Sequence, residues 1–115
     1  GGMNMEQLEQ LIFQLIANSG SARSDIFEAF DYAQDGDFEK ADELMGEAKK
    51  EILKTHKIQT ELIQKEAQGE GVEVNILMVH AQDHLMSSIL AKDLVEKMIE
   101  MQLEIANLKE ENRGI

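Results

Sequence analysis

Between Met5 and Ala17 the apolar residues Leu8, Leu11, Ile12, Leu15 and Ile16 recur three and four positions apart, the repeat of one face of an amphipathic helix. The repeat stutters at Asn18, Ser19, Gly20 and Ser21, then resumes at Ala22, Ile26, Ala29, Phe30 and Ala33. A Gly/Ser cluster inside a helical pattern bends the helix or breaks it. We expect a single kinked helix, with a notch for a closely packed neighbour as the alternative. Gln34, Asp35, Gly36 and Asp37 form the first clear turn, Asp37 standing where it can cap the next helix. A second helix is predicted from Phe38 to about Gln68, turning Ala41, Leu44, Met45, Ala48, Ile52, Gln59, Leu62 and Ile63 to the core, with His56 on the same face. Gly69, Glu70 and Gly71 make a second turn, and Val72 to Val74 is too short and too flanked by acids for an independent strand. A third helix starts at the good N-cap Asn75 and runs to about Glu111, a rod of roughly 50 Å.

That third helix carries two patterns. From Asn75 to Ala91 it is apolar on most sides except for His80, Asp83, His84 and Ser87, whose spacing of i, i+3, i+4 and i+7 places them on one face. A helix that is apolar on most sides must be covered on most sides, by its own chain and then by another. Farther on, Leu94, Met98, Met101, Ile105 and Leu108 follow a heptad seam. Carried towards the N-terminus, the same spacing runs through Ala91, Ser87, His84 and His80, with Asp83 beside it. Leu77, Ala81, Leu85, Ser88 and Ile89 form a second apolar face, which one bundle already uses, so the seam predicts self-association.

Composition narrows this picture. The chain of 115 residues has no Pro, no Trp and one Tyr, which favours one all-helical domain of long helices. Gly1 and Gly2 before Met3 look like remnants of expression, so residues 1–4 are set outside the domain, 5–111 form the single three-helix domain, and 112–115 are expected to fray. The absence of Cys removes disulfides, thiolate chemistry and cysteine-type zinc sites. No run approaches the roughly 18 apolar residues of a membrane span and no leader precedes the first helix, so a cytoplasmic protein is expected. The net charge of −12, from 23 acids against 11 bases, repels nucleic acid and anionic lipid.

Two chemistries fit the polar stripe. Two histidines at i and i+4 with a carboxylate between them can aim at one metal ion, but the Glu that an HExxH hydrolase uses as base is missing. Alternatively one imidazole is a nucleophile that takes a phosphoryl group as a labile N–P adduct and passes it on, its tautomer fixed by a neighbouring His, Gln or Asp. Composition and spacing do not choose between a metal hydrolase on His80, Asp83 and His84, a phosphocarrier, and a helical module that only oligomerises. His56 reads first as a structural histidine, with Gln59 and Thr60 keeping a functional reading open.

The run Val79-His80-Ala81-Gln82-Asp83-His84-Leu85-Met86 resembles the signature of the IIA components of the lactose/cellobiose (N,N'-diacetylchitobiose) family of the bacterial phosphoenolpyruvate-dependent sugar phosphotransferase system. Gly20-Ser21-Ala22-Arg23-Ser24, then Gly36-Asp37-Phe38 with Ala41, and His56-Lys57-Ile58-Gln59-Thr60 with Leu62-Ile63 and Glu66-Ala67 are similar to other blocks of that family in the same order. Thr55 stands where a small apolar residue is expected. The resemblance spans Met5 to Leu108. It implies an antiparallel three-helix bundle per chain, three chains joining as a homotrimeric nine-helix bundle around the third helices. His80 would accept a phosphoryl group from the histidine phosphocarrier protein and hand it to a cysteine of the IIB component, with His84 and Gln82 beside it. Asp83 from each of three subunits would hold a divalent cation, magnesium being the expected one. The imported sugar would be a disaccharide of the lactose/cellobiose type, and it would not touch this protein.

Overall fold

The computed structural model describes residues 4–69 and 75–113, and these form three helices, α1 (Met5–Gln34), α2 (Phe38–Ala67) and α3 (Ile76–Arg113). Residues 1–3 and 114–115, Glu70 and Gly71 of the second predicted turn, and Val72 to Val74 lie outside the described residues. Each helix begins at a residue able to satisfy the free amides of its first turn. The Asn4 side chain accepts from the Gln7 amide at 2.8 Å while the Gln7 side chain accepts from the Asn4 amide at 3.1 Å, a reciprocal capping box. Asp37 accepts from Lys40 N at 3.1 Å and Asn75 from Met78 N at 2.9 Å. Helix α1 ends in a turn built on Gly36 at φ +88, a left-handed conformation that side chains resist. There the Asp37 amide closes back onto the Tyr32 carbonyl at 2.9 Å.

Helix α1 is uninterrupted through Asn18 to Ser21, so the predicted single helix holds. Of the small residues there Ser19 makes the close approach offered as the alternative, while Gly20 has open space beside it and Ser21 is exposed. Ser19 is buried, and the buried Ser88 of α3 places its hydroxyl 2.9 Å from the Ser19 carbonyl and 2.7 Å from that of His84.

Two apolar clusters fill the bundle. One gathers Ala22, Ile26, Ala29, Ala33, Ala41, Met45, Ala48, Ile52 and Val95 near the α1–α2 turn. The other gathers Leu8, Ile12, Leu15, Leu62, Met78, Ala81 and Leu85 towards the opposite end. The buried polar side chains Ser19, Thr55, Gln59 and Ser88 fall between them in every helix. Thr55 satisfies its hydroxyl locally on the Glu51 carbonyl at 2.7 Å, which is how a polar residue occupies a place expected to be apolar.

Two side chains of α2 and one line of α3 differ from expectation. His56 is exposed rather than on the core face, because the buried column of α2 runs through Ala41, Met45, Ala48, Ile52, Thr55, Gln59 and Leu62. Ile63, one position past that column, is 53% exposed. On α3 the exposed apolar line continues from Leu94 through Leu90, Met86 and Val79 with Asp83 among them, not through Ala91, Ser87, His84 and His80. The polar stripe therefore flanks the apolar ribbon, with Asp83 alone inside it. Among the described residues no helix is long and apolar enough to cross a membrane.

Candidate functional site

The first turns of α3 place four polar residues in three directions, and the direction of each is set by its distance along the helix. His80 and His84, one turn apart, share a flank. Their rings meet edge to face, with centroids 4.4 Å apart and planes at 88°, and Nε2 of one lies 3.1 Å from Nε2 of the other. His80 is exposed and His84 half-buried.

A hydrogen bond between two ring nitrogens needs a proton on one and a lone pair on the other. The Nδ1 of His84 is buried without a partner. Were His84 protonated there, a buried N–H would stand unpaired, the rarer and costlier arrangement. The favoured tautomer therefore carries its proton on Nε2, directed at His80, whose Nε2 lone pair accepts it and becomes available as a nucleophile once that hydrogen bond is released. Ser88 holds the backbone of His84 against α1 through the Ser19 carbonyl, so the donor ring stands on a fixed support.

Asp83 lies on a different line. It is exposed, accepts from Ser87 Oγ at 3.5 Å, and sits within the apolar ribbon. Among the described residues no group of three or more His, Cys, Asp or Glu side chains converges within one chain. A metal hydrolase assembled from His80, Asp83 and His84 of one chain thus lacks a convergent ligand set. A single carboxylate on an apolar ribbon is nonetheless a hard oxygen donor of the kind that magnesium or calcium takes, and copies packed about that ribbon would bring their carboxylates together.

Gln82 faces a third way. It is roughly 160° around the helix from His80, half-buried against α2, where Gln59 Nε2 donates to its Oε1. Its own Nε2 has the Met78 sulfur at 3.9 Å. Gln82 therefore does not support the His80 of its own chain. The pairing with Gln59 escaped sequence reasoning, although a glutamine in the middle of an apolar column is itself a signal that the column needs a partner across the bundle.

The sequence family of this chain places it among the phosphotransfer proteins of sugar uptake. The family of the PTS system, lactose/cellobiose specific IIA subunit, matches residues 10–102, and the chain belongs to that family. It is 46% identical over 109 residues to the lichenan-specific phosphotransferase enzyme IIA component of Bacillus subtilis (strain 168), covering 95% of this chain and 96% of that protein. The crystal structure of the PTS cellobiose specific enzyme IIA from Bacillus anthracis superposes with a TM-score of 0.85 at 46% identity, covering 91% of this chain and 94% of the other. The IIA(Chitobiose) chain solved in complex with HPr, from the N,N'-diacetylchitobiose branch of the Escherichia coli phosphotransferase system, gives a TM-score of 0.77 at 37% identity over 86% of this chain and 96% of its own.

Proposed function

We propose that His80 is the phosphoryl acceptor of this IIA component, taking the group from the histidine phosphocarrier protein HPr and passing it to a cysteine of the IIB component in the cytoplasm during uptake of a lactose/cellobiose-type disaccharide. The observation that carries this is the exposed His80, its Nε2 facing the Nε2 of the half-buried His84. As the donor's N–P bond breaks, the pair on His80 Nε2 forms the new one and the donor imidazole leaves with its electrons. Such a transfer through a loose transition state needs positioning and charge stabilisation rather than a proton acceptor. The His84 Nε2–H, released from His80, donates to a phosphoryl oxygen. Transfer to the IIB thiolate repeats the exchange in the other direction.

The working form is a homotrimer packed about α3, which explains the exposed Val79, Met86, Leu90, Leu94 and Met101 on one helix. In a three-fold ring each helix meets its neighbours by opposite flanks. The His80 flank of one copy then adjoins the Gln82 flank of the next, which gives Gln82 a place beside a phosphoryl group that it cannot reach within its own chain. Asp83 from each copy would hold a divalent cation, magnesium by the hardness of its donors, which would neutralise the gathered carboxylates.

Incubation with phosphoenolpyruvate and the general donor proteins, followed by intact mass, tests the assignment. Wild type and His84→Ala should gain one phosphoryl group, the latter more slowly, and His80→Ala should gain none. Labelling that survives His80→Ala ends the assignment.

A further inference from the structure

We infer that Gln59 of α2 is a positioning residue for phosphoryl transfer: by donating to Gln82 Oε1 it fixes which end of the Gln82 amide faces outward, so that an N–H donor rather than a carbonyl is offered to the phosphoryl group on His80 of the adjoining copy. This rests on the phosphocarrier reading above and adds a residue of another helix to it. An amide side chain is two-ended, an acceptor at the oxygen and a double donor at the nitrogen. On a half-buried helix flank it takes whichever orientation its inner neighbour imposes. That neighbour is Gln59, itself only 7% exposed, whose Nε2 donates to the Gln82 oxygen. The nitrogen of Gln82 is left with the Met78 thioether at 3.9 Å, a weak acceptor that scarcely uses it.

The contrast with Thr55, one turn away on the same column, is informative. Thr55 spends its hydroxyl on its own helix, 2.7 Å from the Glu51 carbonyl. Gln59 instead crosses to α3. A leucine in its place would continue the apolar column from Ile52 to Leu62 without desolvating an amide. What the amide supplies and leucine cannot is a sense of direction for Gln82. A phosphoryl group bears acceptor oxygens and negative charge, so a donor facing it attracts and a carbonyl facing it repels.

Gln59→Glu and Gln82→Glu separate this role from simple cohesion of α2 and α3. Both changes are close to isosteric, and both keep a hydrogen bond between the helices, a carboxylate accepting from the remaining amide. In Gln59→Glu the Gln82 amide must turn its nitrogen inward and its oxygen outward; in Gln82→Glu no outward donor remains. Single-turnover labelling of His80 by the phosphorylated donor, read by intact mass alongside melting temperature and assembly size, should show both variants folded and assembled. Their maximal transfer rate should be lower by roughly a hundredfold, the lower end of the scale for losing one donor aimed at developing charge. The donor concentration at half-maximal rate should change little. Should Gln59→Glu fail to fold, Gln59→Met retains the volume and frees Gln82 to turn either way, and it should also slow transfer. Normal transfer in a folded Gln59→Glu or Gln59→Met overturns the inference, whatever Gln82→Glu does. It leaves the phosphocarrier reading intact so long as His80→Ala remains unlabelled.

Discussion

Helices α2 and α3 use their apolar residues in opposite ways. On α2 the buried residues Ala41, Met45, Ala48, Ile52, Thr55, Gln59 and Leu62 make one column, and Leu53 and Ile63 are its exposed large hydrophobics. On α3 five residues are buried, Met78, Ala81, Leu85, Ser88 and Val95, while ten large hydrophobics from Ile76 to Leu108 stand exposed. A helix of the first kind is completed by its own chain; one of the second kind has a face left over. The polar residues divide in the same way. Thr55 and Gln59 find partners inside the bundle, whereas His80 and Asp83 stand exposed, one beside the spare face and one within it. The helix that the single bundle leaves incomplete is the helix that carries the histidine pair.

The largest effect should come from spoiling the spare face. Leu90 is 59% exposed in one chain, so Leu90→Asp should leave the bundle folded. In the assembly it would add a carboxylate to every copy beside Asp83, at a cost of about 3 to 5 kcal/mol per unpaired buried charge. Sedimentation should show monomers for the variant and a trimer for wild type. An unchanged sedimentation coefficient would mean that this ribbon is not the interface, and the contrast between the two helices would lose its meaning.

Next in size is the division between neighbouring positions. Leu85 is fully buried and Met86 is 55% exposed. In the Leu90→Asp background Leu85→Ala should lower unfolding free energy by about 2 to 5 kcal/mol, and Met86→Ala by less than about 0.5 kcal/mol, both read by urea denaturation. Equal losses would show that the two faces do not differ as described.

That division also marks what the sequence could and could not convey. The helices and their order were legible because Asp37 and Asn75 are strong caps and no proline interrupts the repeats. Face assignment was legible only to within one position. A helical repeat steps by three or by four, and a run of hydropathy does not say which. From Leu94 a step of three leads to Ala91 and the histidines, while a step of four leads to Leu90, Met86 and Asp83. The packing takes the second. On α2 the same ambiguity put His56 on the core face, because a buried Thr55 bonded to its own helix carries no hydrophobic signal. The histidine pair itself was legible from its spacing, but the buried, unpartnered Nδ1 that favours one tautomer depends on the tertiary packing around the His84 ring.

Asp83 offers a finer test of the spare face. If copies gather their carboxylates there, Asp83→Asn should stabilise the assembly in the absence of divalent cations by about 1 to 2 kcal/mol per copy, the scale of like charges at partly screened distances. It should also remove the response to magnesium in thermal melts. A variant that still responds to magnesium as wild type does would place the cation elsewhere.

The smallest expected effect lies at a second contact between α2 and α3 within one chain, at the other end from the histidines. Lys49 of α2 bonds Glu96 of α3 at 2.8 Å, with side chains 54% and 32% exposed. The hydrogen bond to Glu96 raises the Lys49 pKa above its ordinary 10.5, against a lowering by partial burial, with the charges of Glu96 and Asp42 adding to the rise. A raised pKa in the folded chain means that the pair's contribution is complete below the unfolded lysine value and fades as pH climbs through the folded one. Water and salt screen so open a pair, so Lys49→Met should cost less than about 1 kcal/mol at neutral pH. The difference from wild type should shrink in concentrated salt and vanish once the pH has passed the lysine range. A difference that persisted there would mean that Lys49 acts through its apolar stem, in the groove that it lines with Phe38, Met45 and Ile99. The two helices would then owe their contact at this end to packing alone, as the Ala-rich cluster around Ala41 and Ala48 does.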